Sequence, residues 1–114
     1  MESVDKAARV SKFADEMKAE RIEVLDVHSK TVMADYLVIC SGTSDLHVRS
    51  IADRIAEKMR EEKIRARSIE GKESGWVLLD FGDVVCHVMR EEQRQFYDLE
   101  SLWKAMPKSE SVES

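Results

Sequence analysis

Apolar residues recur at three- and four-residue spacing at the start of the chain. From Ser3 to about Glu20 they are Val4, Ala7, Ala8, Val10, Phe13, Ala14 and Met17. That period predicts an amphipathic helix with Ser3 as its N-cap. "RIEVLDVHS" predicts a strand with Ile22 and Val24 inward, and "SKTVM" a short connection. In "ADYLVICSG" the run from Tyr36 to Cys40 is continuously apolar, as in a central strand covered on both faces.

The helical period then returns. In "SGTSDLHVRSIADRIAEKMREEK" Val48, Ile51, Ala52, Ile55 and Met59 form one stripe. Ser44 is the natural N-cap, and Asp45 sits at the positive end of the dipole. "IRARSIE" predicts a strand and "GKESG" a polar turn. Two apolar strands follow, Trp76 to Asp80 and Val84 to Met89, separated by Phe81-Gly82-Asp83. They predict a hairpin in which Gly82 supplies a positive φ. A last helix is expected from about Glu91 to Met106, with Phe96, Leu99 and Trp103 on one face and Pro107 as its stop. "KSESVES" reads as a disordered polar tail. The predicted order is α-β-β-α-β-β-β-α: a single α/β domain over residues 1–106, with one mixed five-stranded sheet, flanking helices and a tail over 107–114.

Composition agrees with one packed domain. The chain has 114 residues, of which 43% are hydrophobic and 36% charged, with four Gly and one Pro. A domain of that size buries roughly two-thirds of its unfolded surface. The net charge of -5 argues against binding naked RNA or DNA and leaves room for a basic protein partner. Cys40 and Cys86 both lie in apolar runs and read as reduced core thiols. No apolar stretch approaches the roughly 20 residues of a membrane span, and no targeting signal is visible.

Candidate chemistry is sparse. Asp80-Phe81-Gly82 matches a kinase triplet, but the Gly-rich loop, strand Lys and catalytic Asp that a kinase needs are missing. "SGTS" at a helix start followed by two acids, Asp80 and Asp83, points at most to a small nucleotidyl transferase or other nucleotide-binding enzyme. Such enzymes place paired carboxylates one residue apart on a strand, pointing the same way, to hold two magnesium ions about 3.5–4 Å apart. Here the acids are three apart and straddle a turn, so they should diverge. His28, His47 and His87 lack metal-ligand spacing, and no cofactor site is expected. Charged clusters such as "REEK" and "REEQR" read as solvated helix faces.

The remaining signal is a surface. Alternation puts Trp76, Leu78 and Asp80 on one side of the hairpin, together with Val85, His87 and Met89 from the return strand. Helices on one face only would leave an apolar patch fit for a protein partner; helices on both would bury it.

"ADYLVICSGTSDLHVRSIAD", "IEG", "GWVLLDFGDVVCHVM" and "EEQRQFYDLESLW" occur in order, and over about Asp5 to Trp103 the chain resembles the ribosomal silencing factor, or Iojap, family. The resemblance implies a mixed α/β domain of nucleotidyltransferase-like topology without that active site, hence no enzyme. It implies a bacterial cytoplasmic translation repressor that binds the large ribosomal subunit through ribosomal protein fourteen. That contact blocks joining of the small subunit when nutrients are short. Little or no direct nucleic-acid binding, no membrane, and a monomer or weak homodimer are expected. A large-subunit assembly factor using the same surface is the other reading it allows. Mapped onto this chain, the contact residues expected are Glu70, Trp76, Leu78, Asp83, His87, Met89 and Tyr97. Trp76 and Met89 would be anchors, and the acids would meet Lys or Arg.

Overall fold

A computed structural model describes residues 1–106. The expected stop at Pro107 and the tail over 107–114 lie outside the described residues. The elements are α1 (Ser3–Glu16), β1 (Glu20–Asp26), β2 (Tyr36–Gly42), α2 (Asp45–Glu61), β3 (Ser68–Glu70), β4 (Trp76–Asp80), β5 (Val84–Arg90), α3 (Glu91–Tyr97) and α4 (Leu99–Ala105). The five strands form one sheet in the order β1-β2-β5-β4-β3. β2 and β5 pair in parallel, and the other three pairings are antiparallel. The mixed sheet read from the sequence is therefore present.

One face of the sheet is dry. Ala7, Val10, Phe13 and Ala14 of α1 and the Val48–Met59 stripe of α2 pack on Val38, Cys40, Val77, Leu79, Cys86 and Val88. Burying such side chains contributes on the order of 1.5–3 kcal/mol each, which makes this layer the main source of stability. Ser44 caps α2 as expected, its hydroxyl accepting from the His47 amide at 3.0 Å. The hairpin also holds: Trp76 lies opposite Met89 and Asp80 opposite Val85, with Gly82 at φ 89°.

Local expectations differ in four places. The N-cap of α1 is Glu2, and Ser3 is already helical. Val24, expected inward, is 44% exposed on β1, which is an edge strand, whereas Ile22 packs against the core. The "IRARSIE" strand shrinks to Ser68–Glu70. The final helix is two helices, broken where Asp98 takes a left-handed conformation with φ 47°. Asp98 then caps α4 through the Ser101 amide. The break shifts the helical phase, so Leu99 and Trp103 pack on the sheet while Phe96 is 81% exposed.

Candidate functional site

The second face of the sheet is half covered. α3 lies against β2 and β5, and Leu99 and Trp103 of α4 pack over Val27, Leu37, Ile39 and Met89. Beyond this cover the β5-β4-β3 side stays open. Glu70, Gly71, Trp76, Leu78 and His87 line a shallow recess of about 260 Å³ there. Strand registry explains the grouping: Glu70 faces Leu78 across β3–β4, and Leu78 faces His87 across β4–β5. At the mouth of the recess Gly71 has φ 84°, and a Cβ there would lie 2.2 Å from the Trp76 carbonyl oxygen, so the turn that seats Trp76 needs a glycine.

Aromatic groups form the centre of this region. Trp76 Nε1–H donates to His87 Nδ1 at 2.9 Å, which places the neutral imidazole proton on Nε2. Burial pushes the His87 pKa down to about 4, so the ring is uncharged at neutral pH. The Tyr97 ring sits 4.9 Å from that of Trp76, and Phe96 meets Tyr97 edge-on at 5.0 Å. The row from His87 through Trp76 and Tyr97 to Phe96 thus runs from half-buried to open solvent.

The cover beside it is fixed by a buried cation. Arg94, expected on a solvated helix face, is 2% exposed. Its Nε and Nη2 donate to the two carboxylate oxygens of Glu100 at 3.1 and 3.2 Å. Nη1 donates to the Ser41 hydroxyl at 2.9 Å, and Nη2 reaches Glu23 at 3.4 Å. The Ser41 hydroxyl donates in turn to Glu91, which also pairs with Arg21. Burial raises the Glu91 pKa, but Ser41, Gln95, Arg21 and Arg94 outweigh it and hold the carboxyl below its usual range. Arg21 reaches this site from a bulge in β1, where it takes φ 50°.

Of the seven residues expected at the contact surface, Glu70, Trp76, Leu78 and His87 come together, and Tyr97 joins them through the Trp76 ring. Met89 does not: it is fully buried beneath α4 and has no surface to offer. Asp83 lies at the opposite end of the hairpin and is held by Lys6 of α1. The turn is held instead by Asp80, whose carboxylate accepts the Gly82 amide at 2.8 Å and the Arg67 guanidinium at 3.1 Å. The Gly82 amide, then Arg67, keep the Asp80 pKa below its ordinary value against the opposing effect of burial. Asp80 and Asp83 diverge, each toward its own cation. Among the described residues no group of three or more His, Cys, Asp and Glu side chains is arranged to hold a metal, and no helix is long and apolar enough to cross a membrane. The exposed Phe96 is the surface residue that the sequence reading missed.

The whole sequence, residues 1–114, matches the family described as ribosomal silencing factor during starvation. The ribosomal silencing factor of Bacillus subtilis (strain 168) is 43% identical over 94 residues, 82% of this chain and 80% of that protein. A Mus musculus protein named mitochondrial assembly of ribosomal large subunit protein 1 is 37% identical over 89 residues, 75% of this chain and 39% of that protein. Among solved structures, a Chromobacterium violaceum protein superposes with a TM-score of 0.90 at 32% identity, covering 96% of this chain and 92% of its own. With a match along its full length and a relative this similar over most of both chains, the protein belongs to the ribosomal silencing factor family.

Proposed function

We propose that this protein binds the large ribosomal subunit through the open half of its second sheet face and, by its bulk, keeps the small subunit from joining. It represses translation in the bacterial cytoplasm under nutrient limitation, and its direct contact is ribosomal protein fourteen. The single observation that carries the reading is the uncovered aromatic recess around Trp76 in a chain of this family. Partly buried aromatic residues beside apolar neighbours are the usual energetic centres of protein interfaces. Glu70 is exposed at the rim and, among the described residues, has no ion pair, which suits a basic partner. The site residues proposed are therefore Glu70, Trp76, Leu78, His87 and Tyr97, with Met89 supporting them from below and Asp83 outside the contact.

The mechanism is steric and needs no nucleotide. The divergence of Asp80 and Asp83, each bound to a cation, supports a non-enzymatic reading. The mouse relative's name favours a second reading, a role in assembling the large subunit through the same surface. Adding the protein to purified subunits and resolving the mixture on a sucrose gradient tests the proposal. The joined-ribosome peak should shrink while protein co-migrates with the large subunit. An unchanged joined peak with protein bound to large subunits would favour assembly; no co-migration would overturn both readings.

A further inference from the structure

Most cations among the described residues already face a carboxylate, as Lys6, Arg9, Arg21, Lys72, Arg90 and Arg94 do. In a cluster at the β3 edge of the sheet only Arg67 does. α2 ends at Glu61 with Glu62 as its C-cap, and Lys63 turns the chain with φ 68°. Ile64 and Ala66 then pack against the core, which turns Lys63, Arg65 and Arg67 outward. The Arg67 amide donates to the Asp80 carbonyl at 2.7 Å, fixing the segment to the sheet. Arg60, in the last turn of α2, is exposed just before it. Arg67 is held by Asp80, while the side chains of Arg60, Lys63 and Arg65 have no hydrogen-bonding or ion-pair partner among the described residues. From Lys63 to Ile69 the chain carries three cations and no acid, although its net charge is -5.

This strip is continuous with the recess. Arg67 leads into β3 at Ser68, and Glu70 at the other end of the same three-residue strand lines the recess. A partner seated on Trp76 therefore brings the strip against whatever lies beside that partner. On a large ribosomal subunit the surroundings of a surface protein are mainly RNA, which presents one negative charge per nucleotide. Building on the functional reading above, we infer that Lys63 and Arg65, with Arg60 behind them, contact ribosomal RNA phosphates next to the protein docked on the recess. The acidic chain as a whole does not hold free RNA. Docking raises the local phosphate concentration enough for a few cations to contribute.

The test is the salt dependence of binding to purified large subunits, measured by pelleting in monovalent salt at fixed magnesium. Wild type, the double variant Lys63→Asn with Arg65→Ser, and Trp76→Ala are compared. Asn is chosen at position 63 because it tolerates the left-handed backbone there. Removing one phosphate contact reduces the slope of log affinity against log salt by roughly 0.7–0.9. The double variant should therefore have a slope shallower by about one to two units and bind more weakly at low salt, with its curve converging on wild type at high salt. Trp76→Ala should weaken binding at every salt with its slope unchanged. A double variant with the wild-type slope and affinity overturns the inference and leaves the functional reading intact. Equal weakening against isolated ribosomal protein fourteen would assign the strip to protein and overturn the RNA contact. Wild type that fails to bind subunits at all overturns the functional reading, and the strip with it.

Discussion

Beneath α3 and α4 the sheet buries a guanidinium together with its partners, whereas beside it the Trp76 and His87 rings stay half open and share one hydrogen bond. The two regions sit on the same face and share β5. In the covered half Arg94 directs its donors to Glu100, Ser41 and Glu23. In the open half the polar demand is small: Trp76 satisfies His87 Nδ1, and burial keeps the imidazole neutral. Closing a polar region inside a protein requires complete pairing, because an unpaired buried charge costs several kcal/mol. An open region of mostly apolar and aromatic groups needs no such network, and a partner can cover it at little desolvation cost. The difference teaches that intramolecular cover and intermolecular docking divide one surface by how its polar groups are satisfied.

The covered half breaks first under mutation. Arg94→Ala should cost about 3–5 kcal/mol of stability, since Glu100 and Glu23 lose their buried counter-charge. Urea denaturation measures this, and a loss under 1 kcal/mol would show that α3 and α4 hold without the cation.

Acid should separate the halves in sequence. The folded His87 pKa, about 4, lies below its ordinary 6.5, so the unfolded chain binds more protons between those values. Stability therefore falls as pH drops from about 6.5 to 4, by up to roughly 3 kcal/mol. Glu91, held below its usual range, gives up its contribution only at lower pH still. Melting temperatures of wild type and His87→Gln from pH 7 to 4 should converge toward the acid end, the variant curve being the flatter.

Trp76→Ala should weaken large-subunit binding by on the order of 2 kcal/mol, about 30-fold. Its stability cost should stay below the 3–5 kcal/mol expected for truncating a fully buried Trp, because one side of the ring is open. Comparing affinity with the melting temperature decides the matter; a melt lowered as far as in Arg94→Ala would place Trp76 with the covered half. The smallest change is expected at the far end of the hairpin. Asp80→Asn should cost about 1 kcal/mol through weaker hydrogen bonds to Gly82 and Arg67 and leave subunit binding nearly unchanged.

Strand alternation made most of this surface legible. The period of two placed Trp76, Leu78 and His87 on one face, and the continuous run Tyr36 to Cys40 identified β2 as an interior strand covered on both faces. The same alternation put Met89 on that face correctly but carried no information about what covers it. The cover depends on the left-handed Asp98, a conformation that local pattern does not reveal. Arg94 was hidden for a different reason. Its partners Ser41, Glu23 and Glu100 come from three separate elements, and only the folded sheet brings them to one place. Asp83 was misplaced at the contact surface because the partner that holds it, Lys6, comes from the first helix and meets the turn only in the fold.

The parallel pairing of β2 with β5 also bears on how the chain acquires its shape during synthesis. Among the described residues β5 is the last strand made, yet it lies at the middle of the sheet, between β2 and β4. Until Val84–Arg90 is available, the β1–β2 and β3–β4 hairpins have no strand between them to join them. Completing the sheet must therefore bring together segments nearly fifty residues apart, Tyr36 opposite Val84, a closure that slows folding relative to local pairing. A nascent chain ending before β5 would expose the inner edges of β2 and β4 and the apolar stripes of both long helices. Pairing across the middle of the sheet is thus gained only after β5 has been made.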